Sequence, residues 1–157
     1  MINNDIIEIN DTRIFFRNFS GKEGQYNRAG DRNFCVEVPV EQARALENEG
    51  WNIKWREPRD EGDELKAHLK VSLRFDNFPP TIYQVTGHHK TRLNEQTVNN
   101  LDWADIINVD LAIRPYHWEV NGMKGIKAYV KYMYVMIEED CFADKYSDIP
   151  SDDDYED

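Results

Sequence analysis

Cysteine is scarce in this chain, two in 157 residues, and the two are far apart: Cys35 lies in a strand-like run and Cys141 opens an acidic segment. Such a pair builds neither a disulfide framework nor a Cys-x-x-Cys metal knuckle, and a reducing, cytoplasmic setting is the expectation. Long apolar runs are missing too. No segment approaches the roughly 20 apolar residues of a spanning helix. Met1 to Asp5 lack a basic region followed by an apolar stretch, so neither secretion nor membrane insertion is expected. Internal repeats are absent. The glycines make no phosphate cradle, because Gly21-Lys22-Glu23-Gly24 has neither the Walker spacing nor a closing Lys-Ser or Lys-Thr.

Catalytic groupings are equally sparse. His88 and His89 are adjacent, so in a strand they point to opposite faces, and no HxH or HExxH partner stands at ligand spacing. Asp102, Asp105, Asp110 and Glu119 are the acids a two-metal centre would draw on, yet nothing in their spacing demands one. Cys35, between Phe34 and Val36, reads as a small packed residue without a histidine partner. No cofactor, metal or enzymatic function is expected.

What the chain does have is a charged end. Residues 138–157 hold ten acidic side chains and one basic one, closing in Asp152-Asp153-Asp154-Tyr155-Glu156-Asp157. Removing them from the totals of 30 acidic and 19 basic residues leaves 20 and 18, so residues 1–137 carry a formal charge of −2 against −11 for the whole. One domain over 1–137 followed by a disordered acidic tail over 138–157 is the reading, because blocks of like charge resist folding and serve as interaction tails. A nearly neutral body can still carry basic grooves, and a detachable anionic segment imitates a polyanion.

Period-two alternation dominates the body. In the first strand candidate Arg13, Phe15, Arg17 and Phe19 oppose Ile14 and Phe16; Arg32 to Val38 is a second. Pro39 then opens a short amphipathic helix to about Asn48, with Val40, Ala43 and Leu46 on one side and Gly50 as terminator. Trp51 to Glu57 alternates again. From Lys66 to Phe75 one face is Ala67, Leu69, Val71, Leu73 and Phe75, and the other is Lys66, His68, Lys70, Ser72 and Arg74. Thr81 to Thr86 is a further strand, and Asn94 to about Trp103 a second short helix.

Asn121-Gly122 between two long alternating runs is a strong hairpin signal, since both residues accept the positive φ of a type I′ turn. Pairing Val120 with Met123 sets Trp118 opposite Gly125, Tyr116 opposite Lys127, Arg114 opposite Tyr129 and Ala112 opposite Lys131 on a displayed face. The buried face would pair His117 with Ile126, Ile113 with Val130, Leu111 with Tyr132 and Val109 with Tyr134. About seven strands, two short helices and a long C-terminal hairpin point to a mainly β, OB-like antiparallel barrel. A β-sandwich is the competing architecture.

Single-stranded nucleic acid is held by cations along the backbone and exposed rings under the bases. The hairpin supplies Arg114, Lys127 and Lys131 as cations and Tyr116, Trp118 and Tyr129 as rings, with Gly125 leaving space over the Trp118 indole. Lys54, Arg56, Lys70 and Arg74 add cations, and Arg13, Phe15 and Arg17 repeat the alternation on the first strand.

With this hairpin, its Asn121-Gly122-Met123-Lys124-Gly125-Ile126-Lys127 turn and the Asp-Asp-Asp-Tyr-Glu-Asp end, the chain resembles bacteriophage single-stranded DNA-binding proteins of the OB-fold type. The segment from Phe16-Arg17-Asn18-Phe19-Ser20-Gly21 through Asn27 to Phe34 looks like uncharacterised phage proteins. The resemblance implies sequence-tolerant binding of single-stranded DNA in replication or recombination, in the host cytoplasm, by a monomer or a homodimer. It also implies that Asp152, Asp153, Asp154, Tyr155, Glu156 and Asp157 compete with DNA for the groove and dock replication or recombination proteins. In such proteins the acidic tail often carries an aromatic near its end, which Tyr155 and the surrounding carboxylates match, although here Glu156-Asp157 follow the aromatic. Two rival readings are an acidic interaction protein, such as a DNA mimic or an inhibitor of a host nuclease, and a small phage assembly domain.

Overall fold

Alternating apolar side chains build nine strands among the described residues of the computed structural model, which are 5–76 and 79–138. They are β1 (Ile7–Thr12), β2 (Ile14–Asn18), β3 (Arg32–Val38), β4 (Ile53–Arg56), β5 (Lys66–Leu73), β6 (Thr81–Thr86), β7 (His89–Leu93), β8 (Ile106–Val120) and β9 (Met123–Ile137). One α-helix, α1 (Val40–Asn48), follows β3, and a 3-10 helix spans Val98–Asp102.

One face of the sheet is the core. Phe34, Val36 and Val38 of β3, Ala67, Leu69, Val71 and Leu73 of β5, Val109, Leu111 and Ile113 of β8, and Val130, Met133 and Val135 of β9 are all buried. Each fully buried large aliphatic or aromatic side chain among them contributes about 1.5–3 kcal/mol. Helix α1 adds Ala43 and Leu46. Its end is set by Gly50, whose φ of 104° only glycine adopts freely, after which the Trp51 amide donates to the Leu46 carbonyl at 3.0 Å.

The mainly β character expected is present, but the OB-like antiparallel barrel does not close. Strands order as β1-β8-β9-β5-β3-β2, with β4 on β5 and β6 between β9 and β7. The sheet is open and mixed. Strand β9 is long enough to take two partners along one edge, β5 at Ala128–Tyr129 and β6 from Tyr132 to Met136, and both run parallel to it. Strands β1 and β2 end the path unpaired with each other.

Other differences have local causes. The second helix expected over Asn94–Trp103 is only the 3-10 helix. Asn94 Oδ1 takes the amides of Gln96 and Thr97 at 2.9 and 3.0 Å, closing a turn where an α-helix would begin. Along β8 and β9, Val120 faces Met123, Trp118 faces Gly125, Arg114 faces Tyr129 and Ile113 faces Val130, but Ala112 then faces Tyr132. Lys131 is the extra residue of a β-bulge. The pairs Ala112–Lys131, Leu111–Tyr132 and Val109–Tyr134 are therefore replaced by Ala112–Tyr132, Leu111–Met133 and Val109–Val135. Tyr132 and Tyr134 move from the core face to the outer face, and Met133 and Val135 fill the core. Of the acidic tail, only Glu138 falls among the described residues.

Candidate nucleic-acid interface

Residues paired directly across a sheet share a face, so the register maps the surface opposite the core. On β5 that surface is Lys66, His68, Lys70 and Ser72. Across from them lie Glu37, Cys35 and Asn33 of β3, Lys54 and Arg56 of β4, and Tyr129 of β9, which pairs with Ser72. Phe15 of β2 faces Cys35. Arg114, Tyr116 and Trp118 of β8 face Tyr129, Lys127 and Gly125. Residues from six strands, β2, β3, β4, β5, β8 and β9, thus meet on one outer face.

Two aromatic clusters stand on it. At the β8–β9 end, Tyr129 is almost wholly covered (7% exposed), while Tyr116 and Trp118 are 56% and 36% exposed. Tyr116 meets Tyr129 edge-on at 6.2 Å, and Arg114 and Lys127 lie 5.7 and 5.4 Å from the Tyr129 ring centre. Tyr129 serves as the base of the cluster, and Tyr116 and Trp118 are its available rings. The space expected over Trp118 at Gly125 is filled by the indole itself. A Cβ on Gly125 would sit 2.7 Å from Trp118 Cζ2, so the glycine lets the indole lie flat on the strand.

The second cluster lies at β2 and β5. Phe15 meets Phe16 edge-on at 4.9 Å and His68 at 5.1 Å. Burial, with Lys54 and Arg56 nearby, holds the His68 pKa below 6.5. Phe16 has φ 50° and is 74% exposed, both unusual for a bulky apolar residue. It sits where β2 gains a residue against β3, between Phe15 and Asn18. Strict alternation placed Phe16 opposite Phe15 and made Phe19 part of the displayed face; the bulge exposes Phe16 beside Phe15 and leaves Phe19 fully buried. A positive-φ phenylalanine leaves no mark in the sequence pattern, so Phe16 was missed.

Between the clusters runs a cationic strip. Lys70 is exposed two residues from both His68 and Ser72, and Lys54 and Arg56 of β4 face His68 and Lys66. Lys54, Arg56, Lys70 and Lys127 make no ion pair with any described residue. Arg74 is partly spoken for: its guanidinium binds Asp76 at 2.9 and 3.3 Å, and that carboxylate, then the Tyr129 hydroxyl, keep it firmly protonated. Arg13 is exposed at the β1–β2 junction, and Lys131 is exposed at the bulge. Arg17 turns elsewhere. Its Nη1 donates to the Leu101 and Ala104 carbonyls at 2.9 and 2.7 Å, which tethers β2 to the 3-10 helix. Cys35 lies within the face, and burial pushes its thiol pKa up against the opposing pull of Lys70.

This face combines what single strands require, separated rings with unpaired cations between them. The model of the family described as "Putative phage ssDNA-binding domain" matches residues 1–156. The chain belongs to that family. Among solved structures, this family member is similar to the single-stranded DNA-binding protein from bacteriophage Enc34 in complex with ssDNA, at TM-score 0.57 and 12% identity over 86% of this chain and 88% of that one. The Enc34 protein in another structure matches at TM-score 0.56 and 12% identity, over 97% and 90%. At such identity the likeness is one of fold. No curated protein matches the sequence.

Two of the acids considered for a metal centre hold backbone amides in this family member. Asp102 accepts the Phe19 and Ser20 amides at 2.6 and 3.1 Å, and Asp110 accepts the Asp11 amide at 2.7 Å. Glu119 is the register partner of Lys124 near the β8–β9 turn. His88 and His89 are exposed at the β6–β7 turn.

Proposed function

We propose that this chain binds single-stranded DNA with little regard to sequence, across the outer face that runs from Trp118 to Phe16. The observation that carries the reading is the order of groups on that face. Tyr116 and Trp118 stand at one end, Phe15 and Phe16 at the other, and Lys70 between them, with Lys54, Arg56, Arg114 and Lys127 along the edges. His68 and Ser72 are four residues apart on β5, about 13 Å, so the clusters are spaced to take different bases of one strand. Lys70 then meets the phosphates that join them.

Stacking gives affinity without a code, since every base has a π-face; each stacked base is worth about 1–3 kcal/mol. Phosphate neutralisation supplies the rest and makes it depend on salt. Residues 138–157, with ten carboxylates, act in this reading as an intramolecular rival for the same cations and as the segment that meets proteins of phage DNA replication or recombination.

The test is fluorescence anisotropy of a labelled oligo-dT with the full chain, Trp118→Ala and Lys70→Glu, at low and moderate salt. Each variant should bind at least tenfold more weakly while keeping its circular dichroism. Absence of binding by the full chain at micromolar protein would turn the reading toward an acidic interaction protein.

A further inference from the structure

The bulge at Lys131 places a third aromatic group on the outer face, beyond the two that the proposed function uses. Tyr83 of β6 and Tyr134 of β9 are register partners and stack with centroids 5.5 Å apart and planes 11° from parallel. Lys90 of β7 lies over both, its Nζ 4.2 Å from the Tyr83 ring centre and 5.1 Å from that of Tyr134. Arg92 is the cross-strand partner of Tyr83. Lys90 and Arg92 are exposed and make no ion pair with any described residue.

We infer that Tyr83, Tyr134, Lys90 and Arg92 form a second contact for single-stranded DNA, lengthening the track past Tyr129. The inference rests on the proposed function. Tyr134 is five residues beyond Tyr129 on β9, about 16 Å, and the exposed Lys131 lies between them. A lysine resting on ring faces at an exposed site, with no carboxylate partner among the described residues, is held weakly. A phosphate competes with that easily. When Lys90 turns to a phosphate it uncovers the face of Tyr83 for a base, so one movement supplies both contacts. The strand leaves β9 toward β6 and β7 here, because Tyr132 donates its hydroxyl to Glu8 at 2.8 Å and Asp110 faces Tyr134 from β8. Those carboxylates close the other side to phosphates.

The test compares oligo-dT of about 8 and about 25 nucleotides, one within and one beyond the range of about 4–16 nucleotides that a single such domain covers. It uses the full chain and the doubly substituted Lys90→Glu/Arg92→Glu chain, whose changes are confined to an exposed hairpin. The expected result is unchanged affinity for the short strand and at least tenfold loss for the long one. Lys90→Met should show a smaller loss of the same kind. Oligonucleotides carrying bromodeoxyuridine should also crosslink to peptides containing Tyr83 or Tyr134. Equal affinity of the doubly substituted and unsubstituted chains for both lengths would overturn this inference alone, and failure of the unsubstituted chain to bind either length would overturn it together with the proposed function.

Discussion

Phe16 is a bulky apolar residue held exposed at a φ of 50°. An L side chain at positive φ costs about 1–2 kcal/mol, a cost glycine escapes. Phe16→Gly should therefore be more stable than Phe16→Ala by about 1 kcal/mol in thermal or urea unfolding, while both bind oligo-dT more weakly than the unsubstituted chain. Equal binding by all three would remove Phe16 from the DNA path. His68, beside it, couples the site to pH. Its folded pKa lies below 6.5, so the unfolded chain takes up the proton first as pH falls. The stability it contributes is present above 6.5 and is lost as pH falls through the depressed value. Glu37 faces it from β3, and Lys54 from β4. Burial is the larger cause of that depression and Lys54 and Arg56 the smaller; phosphates on those two cations would offset their share, so DNA binding should take up a proton and tighten as pH falls below 6.5. His68→Gln should flatten both the acid limb of melting temperature and that tightening.

At the scale of elements, glycines and bulges decide what the strands can present. Gly125→Ala would drive a Cβ into the Trp118 indole, lifting the ring from β9; weaker binding with a shifted tryptophan emission is the expected outcome. Gly21→Ala is a test of scaffold rather than site. Gly21 has φ 69° and its Cβ would meet Gly30 backbone at 2.9 Å, so a melting temperature lowered by several degrees is expected. The strands themselves were legible wherever apolar residues alternate without interruption, as in β3 and β5, and α1 followed from Ala43, Leu46 and Gly50. Lys54, Arg56 and Lys70 were placed on the outer face by the same alternation. What the pattern hid were departures from period two. Lys131 looks like any outward lysine, yet as a bulge residue it moves Tyr132 and Tyr134 to the other face. Arg17 continues the cation–aromatic alternation, yet the chain turn at Phe16 sends it to the Leu101 and Ala104 carbonyls. Strand β1 went unread because only Ile7 and Ile9 mark it among polar neighbours, and the parallel pairings of β9 depend on long-range register.

For the whole molecule, charge is the governing quantity. A body at −2 and an end segment at −9 follow from the residue counts, and they make salt the natural variable. If four cations meet phosphates, the logarithm of affinity should fall against the logarithm of salt with a slope of about −3. Removing residues 138–157 should tighten binding at low salt and leave it nearly unchanged at high salt, where screening already weakens the rivalry. Unchanged affinity at low salt would show that the acidic end does not compete.

The two terminal strands of the sheet path share a property that bears on self-association. Asp11 in β1 has φ 53° and Phe16 in β2 has φ 50°, and each lies at a register shift. Straight, flat edges invite another chain to add a strand, and kinked ones refuse it. Copies of this protein crowded side by side therefore find no even ladder to extend at β1 or β2, and the remaining long free edge, β7, which pairs only with β6, is lined by the cations Lys90 and Arg92.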